Sequence, residues 1–276
     1  MSLVMPSIVH HTPRTTLRGL QSVRFDDKVV LITGAATGIG AETARFMCAR
    51  GAKAALVGIP LDALETRAAE LRDSGATCIA IEADVTSETQ LADAFTQTIE
   101  QLGKVDIAVP NAGIQRHQTD HSLHAMTLDE WEKTQDVNLR GVVRTCKHAL
   151  AHMVERGEGG AIVIVGSITG ITGMSPNVSY STTKAGLFGL SRNIAVHYGK
   201  YGIRCNIVCP GALVQTPDWG DHPDQDGRRQ QMEAKIPLGR LGTAADIAPF
   251  IALLASDVGA YANGAEVVID GGLTST

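Results

Sequence analysis

Seven short runs of apolar and β-branched residues punctuate the chain from Lys28 onward, and each is separated from the next by a longer segment with helical spacing of its apolar residues. The runs are Val29 to Ile32, Ala54 to Val57, Cys78 to Ile81, Val105 to Val109, Ile162 to Val165, Ile203 to Val208 and Val267 to Ile269. Strands covered on both faces read as continuous apolar runs, and parallel strands need a crossover that a helix can supply. The rhythm predicts an α/β fold with a doubly wound parallel sheet of about seven strands and helices on both faces. Ile39, Thr43, Phe46 and Met47 share one side of the first helix, with Gly51 as its stop. Asp62 is expected to cap the second helix. A third begins after Ser87 and buries Leu91, Phe95, Ile99 and Leu102, a fourth covers roughly Leu128 to Val154, and another follows Pro176 and runs to about Gly199.

No repeat, low-complexity block or linker divides this pattern, so a single domain is expected over 25–276. Residues 1–24, with Arg14, Arg18 and Arg24 and no acid before Asp26, read as a flexible N-terminal extension. The segment Asp218 to Arg229, dense in Asp, Gly, Pro and His, reads as a loop over a site. The 276 residues carry 24 Lys+Arg against 29 Asp+Glu, a net charge of −5. With no sustained basic run, neither nucleic acid nor an anionic membrane is an expected partner. The uncharged stretch between Glu158 and Lys184 is too rich in Ser, Thr, Asn, Pro and Gly to be a membrane span. Five cysteines without a C-x-x-C pair favour a reducing, cytoplasmic location, and no metal site is expected.

Chemistry concentrates at the strand ends. The first strand runs into Thr33-Gly34-Ala35-Ala36-Thr37-Gly38-Ile39-Gly40 and directly into a helix, so a phosphate could approach bare backbone N–H groups and the positive helix end. Tyr180 and Lys184 lie one helical turn apart and can face one pocket. Ser167 follows the fifth strand, Asn138 lies within a helix, and Asn111-Ala112-Gly113 follows the fourth strand.

In this order, T-G-x-x-x-G-x-G, N-A-G, an Asn, a Ser and Y-x-x-x-K, the sequence resembles the single-domain short-chain dehydrogenase/reductase family over about Phe25 to Gly272. The resemblance implies a Rossmann-type fold and an oxidoreductase that moves a hydride between a nicotinamide cofactor and a secondary alcohol or ketone. It implies that Tyr180 is the general acid/base, Ser167 polarises the substrate oxygen, Lys184 lowers the phenol pKa and holds the nicotinamide ribose, and Asn138 supports a water linking Lys184 to solvent. A phenol with a reference pKa of about 10 needs such a cation to act as a base near neutrality. The cofactor contacts implied are Gly34, Thr37, Gly38, Ile39 and Gly40 of the glycine turn, Gly58, Asp84 and Val85, Asn111 to Gly113 with Ala112 between, Tyr180, Lys184, Pro210, Gly211 and Thr216. Pro110 departs from the family's usual N-N-A-G, and Thr216 is displaced by one position from the expected Thr. A homotetramer is also implied.

The second strand ends Leu56-Val57-Gly58-Ile59-Pro60, with neither an acid for a ribose 2′-hydroxyl nor an Arg for a 2′-phosphate. With Thr37 uncharged as well, NAD is the expected cofactor and NADP the alternative. The small-molecule substrate is expected to border Gln115 to His124, including His117 and His121, together with Ile168, Thr169, Met174, Trp219 and His222. Gln115 and Arg116 suit a polyol, sugar or hydroxy acid. The alternatives are an NADPH-dependent 3-oxoacyl reductase and a non-catalytic dinucleotide sensor.

Overall fold

The computed structural model describes residues 23–116, 119–120, 122–173, 177–214 and 225–275. Seven parallel strands form one sheet in the order β3-β2-β1-β4-β5-β6-β7: β1 Val29–Thr33, β2 Lys53–Gly58, β3 Cys78–Glu82, β4 Ile107–Val109, β5 Gly160–Val165, β6 Ile203–Pro210 and β7 Glu266–Ile269. Successive strands are added outward in one direction from β1 to β3 and in the other from β4 to β7, so the strand order reverses between the parallel neighbours β1 and β4, which opens a crevice at their carboxyl ends. All of β1 is buried, and the apolar runs that mark the strands form the two faces of the core.

One face carries α1 (Gly38–Cys48), α2 (Leu61–Asp73) and α8 (Ala244–Ala255), through Ala44, Met47, Leu64, Leu71, Ile247 and Ile251. The other carries α3 (Glu88–Leu102), α5 (Gly141–Arg156) and α6 (Val178–Tyr198), through Phe95, Cys146, Met153, Leu187 and Ile194. The sheet is therefore doubly wound, as its rhythm predicts.

Four local features refine the sequence reading. Helix α2 begins at Leu61, after Pro60, so Asp62 stands in its first turn and not at its cap. There its charge complements the positive end of the helix. The helix expected over 128–154 is α4 (Leu128–Gln135) joined to α5 by a π-helical turn, Asp136–Arg140. One inserted residue rotates the helix phase by about 100°. Asn138 on that turn is fully buried while α5 keeps its apolar face on the sheet. Strand β4 starts later than expected because Val29 N–H donates to the Asp106 carboxylate, at 2.9 Å, in place of a backbone carbonyl. Finally, the loop expected over 218–229 is helical from Gln225 onward, in α7 (Gln225–Lys235), and residues 218–224 lie outside the described residues. Residues 1–22 of the expected extension also lie outside them.

Candidate active site

The glycine turn is shaped by what its residues lack. Gly34 has φ +65°, and a Cβ there would meet Ala112 Cα at 2.8 Å. On Gly40 it would strike the Gly34 carbonyl oxygen at 2.4 Å and the Asn111 amide nitrogen at 2.6 Å. Gly40 is therefore buried packing behind the turn. Gly38, with φ +57°, faces open space. Asn111 holds the turn from below: its Nδ2 donates to Thr33 O and Gly34 O, both at 3.0 Å, and the Thr33 hydroxyl accepts from Asn111 N and Ala112 N. With those carbonyls engaged, Thr37 makes no side-chain cap and the first turn of α1 holds no acid, which leaves a helix N-terminus open to an anion.

Above this turn lies a cleft of about 440 Å³. Among the expected cofactor contacts, Gly34, Thr37, Gly38, Ile39, Gly58, Asp84, Val85, Asn111, Ala112 and Gly113 line it. Sequence reasoning missed further lining from Ile59, Val137, Leu213, Val214 and Ala244, whose apolar side chains carry no motif. Pro210 and Gly211 stand behind it: a Cβ on Gly211 would meet Asp270 at 2.7 Å, so that turn packs against the end of β7. Thr216 lies outside the described residues, as do His117, His121, Met174, Trp219 and His222. The cleft's volume, the open Gly38 and the exposed N-terminus of α1 fit a dinucleotide. Asp84 is the one ionisable side chain among its described lining residues, and at the end of β2 the wall is Gly58 and the 57% exposed Ile59.

Tyr180 and Lys184 share a face of α6, with Lys184 Nζ 5.5 Å from the centroid of the Tyr180 ring. Lys184 is buried, and Nζ donates to Val165 O at 3.0 Å. Burial pushes its pKa down to about 8, against a smaller opposing effect of the Cys209 thiol. Gly170, in the 3₁₀ turn Ile168–Gly170, lets this helix approach: a Cβ there would meet Lys184 O at 2.8 Å. The same turn fixes Ser167, whose Oγ accepts from Thr169 N at 3.2 Å and from Thr169 Oγ1 at 3.0 Å. Both polar ends of the Asn138 side chain engage Ile114, with Oδ1 accepting from Ile114 N at 2.8 Å and Nδ2 donating to Ile114 O at 2.7 Å. A Cβ on Gly113 would lie 3.3 Å from Asn138 Oδ1 and 3.8 Å from Lys184 Nζ, so Gly113 brings the cofactor-side turn against both.

One residue at this site escaped the sequence reading. Asp120, 1% exposed, accepts from Ser179 N at 3.0 Å and Tyr180 N at 2.9 Å through its carboxylate. Its partners lie about sixty positions along the chain, beyond any local spacing rule. All five cysteines are buried and free, and burial pushes Cys48, Cys205 and Cys209 up to about 12, so they are not poised as nucleophiles. No described helix is long and apolar enough to cross a membrane.

Residues 34–274 match the family model described as Enoyl-(Acyl carrier protein) reductase. The chain is 39% identical over 250 residues to L-rhamnose 1-dehydrogenase (NAD(P)(+)) of Sphingomonas sp. (strain SKA58), covering 90% of this chain and 97% of the relative. It is 39% identical to cis-4-hydroxycyclohexanecarboxylate dehydrogenase of Sinomonas cyclohexanicum, covering 91% of this chain and 98% of that one. Among solved structures, levodione reductase superposes with a TM-score of 0.88 at 35% identity, over 92% of this chain and all of the other (100%). A short-chain type dehydrogenase/reductase from Mycobacterium marinum gives 0.84 at 34% identity, over 93% and 99%.

Proposed function

The chain belongs to the short-chain dehydrogenase/reductase family, and from that premise we propose a mechanism in which Tyr180 moves the proton of a secondary alcohol or ketone. It is an NAD(P)-dependent oxidoreductase acting on CH–OH groups. The observation that carries the assignment is the buried Lys184 ammonium beside the Tyr180 ring on one helix face. The bound nicotinamide supplies the hydride acceptor or donor.

The chain's own residues supply orientation and the proton path. A serine hydroxyl has one hydrogen and two acceptor sites. With Thr169 N and Oγ1 donating to Ser167 Oγ, the Ser167 hydrogen is free to be donated to the substrate oxygen. Tyr180 Oη takes the alcohol proton during oxidation and returns it during reduction. Lys184, confined at low dielectric, favours the phenolate because an opposite charge nearby stabilises the ionised form. One of its protons is held by Val165 O, which leaves two for ribose hydroxyls. Asn138, by bridging Ile114, holds the turn that ends at Gly113 against Lys184.

We infer that NAD is preferred and that NADP is the alternative. An uncharged β2 end has nothing to repel a 2′-phosphate, but no cation lines the described cleft to neutralise one. That lack of a cation also counts against the NADPH-linked 3-oxoacyl reductase, and a sensor that had lost its chemistry would not need the Ser, Tyr and Lys set. The substrate is inferred to be a polar secondary alcohol. Relatives named for rhamnose and for a hydroxycyclohexane acid support a sugar, polyol or hydroxy acid. A homotetramer in the cytoplasm completes the proposal, and exposed Val196, Val258 and Tyr261 are available for contacts between copies.

The testing experiment is thermal unfolding with NAD+, NADH, NADP+ and NADPH, followed by an oxidation screen of sugars, polyols and ring alcohols. Ligand at about 100 times its Kd adds about 2.7 kcal/mol and a visible rise in midpoint. A rise with the NAD pair and NAD-linked turnover are expected. No rise with any of the four would remove the oxidoreductase reading.

A further inference from the structure

Helix α6 carries the proton-transfer group in its first turn, yet its own flank does not cap it. Asn177, the flanking residue, is buried at φ +102° and its side chain makes no cap bond. Two first-turn N–H groups go instead to the Asp120 carboxylate, Ser179 N to Oδ1 and Tyr180 N to Oδ2, and the flanking Asn177 N donates to the Asp120 backbone carbonyl at 3.0 Å. Among the described residues Asp120 has no ion pair, so its buried charge rests on backbone N–H groups and the positive end of the helix.

Asp120 is itself fixed from the cofactor side. Its N–H donates to Arg116 O at 2.7 Å, and the Arg116 guanidinium pairs with the largely buried Glu130 in the first turn of α4. Arg116 lies three residues beyond the Asn111-Ala112-Gly113 turn. We propose that Asp120 is a positioning residue for the reaction, transmitting the placement of this turn, through Arg116, to the backbone of Tyr180.

The proposal rests on the reading of Tyr180 as the proton-transfer group, and the geometry separates it from a general role in folding. Deeper in α6, Leu187, Phe188 and Ile194 are buried, and Lys184 has its own bond to Val165 O. Loss of the Asp120 carboxylate therefore frees the turn that holds Tyr180 while Lys184 stays in place. The phenol and the ammonium lose their fixed relation, and the nucleotide cleft, which Asp120 does not line, keeps its form.

The test compares wild type, Asp120→Ala and Asp120→Asn, each labelled with fluorotyrosine and assayed with the alcohol found in the screen. The chain has four tyrosines, and a Tyr180→Phe sample identifies the Tyr180 fluorine resonance. Asp120→Ala is expected to shift and broaden that resonance alone, lower kcat about 10- to 100-fold and leave the NADH Kd within about twofold. Asp120→Asn, which keeps one acceptor oxygen, is expected to fall between, and it carries the test if the alanine variant does not fold. An unmoved Tyr180 resonance overturns the proposal, as does movement of all four resonances with loss of NADH binding. If Tyr180 alone responds but wild type oxidises nothing in the screen, the clamp stands and the catalytic reading of Tyr180 falls.

Discussion

The two halves of the crevice are built by opposite means. On the nucleotide side, between β1, β2 and β4, the turn exposes bare backbone among apolar walls: Gly34, Gly38 and Gly58 withhold side chains, and Asn111 turns the carbonyls of residues 33 and 34 inward. On the substrate side, between β5, β6 and α6, the proposed chemistry depends on buried polar side chains held by partners: Ser167 by Thr169, Lys184 by Val165, Asn138 by Ile114 and the first turn of α6 by Asp120. The first half tolerates little added volume, and the second tolerates little lost hydrogen bonding. Substitutions in the two halves should therefore fail in different ways.

The largest effect is expected on the substrate side. Tyr180→Phe removes one oxygen and should lower kcat by about 10³-fold, in the range for loss of a general acid/base, with the NADH Kd within about twofold. Single-turnover absorbance and nucleotide titration check the two numbers. Lys184→Met tests the cost of the same chemistry to stability. With its pKa lowered to about 8 in the fold and near 10.4 when unfolded, Lys184 is charged in both states below pH 8 and carries a desolvation cost of about 3 kcal/mol. Between these two values the unfolded chain holds more protons, so wild-type stability rises with pH. Urea melts should find the methionine variant more stable at pH 7, with the gap narrowing toward pH 10. A gap that stays constant over that range would mean that Lys184 is not buried as a cation.

On the nucleotide side, Gly40→Ala and Gly38→Ala make a controlled pair. Both residues are glycines of one turn, but a Cβ at 40 meets backbone at 2.4 Å whereas at 38 it meets nothing within 4 Å. Gly40→Ala should cost about 2 kcal/mol or more in stability, as overpacking does. Gly38→Ala, strained only by its positive φ, should cost about 1 kcal/mol while weakening NADH binding. Equal losses of stability would break the distinction between packing glycine and contact glycine.

This contrast also explains what was legible in the sequence. The sheet was readable because buried parallel strands must be continuous apolar runs, and the glycine turn because its residues are contiguous. Tyr180 and Lys184 were readable because one helical turn separates them. The partners that hold the substrate side were not, because Asp120 and α6 meet across about sixty residues and Asn138 turns inward only through an inserted π-helical residue. The stretch 218–229, dense in Asp, Gly, Pro and His, read as loop although its described part is the start of α7, since such composition alone does not separate a solvated helix from a loop.

The smallest expected effect bears on the end of β2, where the wall of the nucleotide cleft carries no polar side chain. Ile59 stands at the end of β2, 57% exposed and lining the cleft, where an acid would accept from a ribose 2′-hydroxyl. Ile59→Asp should strengthen NAD relative to NADP about tenfold in the ratio of Kd values, through one added hydrogen bond and repulsion of a 2′-phosphate, with kcat for the NAD reaction nearly unchanged. Ile59→Arg should move the ratio the other way, because a guanidinium can pair with phosphate. The two variants bracket the wild type only if its position at the 2′-site is neutral. A wild-type ratio equal to that of Ile59→Asp would mean that another carboxylate, such as Asp62 in the first turn of α2, already acts there. That outcome would give the nucleotide side the same dependence on a placed polar side chain that is proposed for the substrate side.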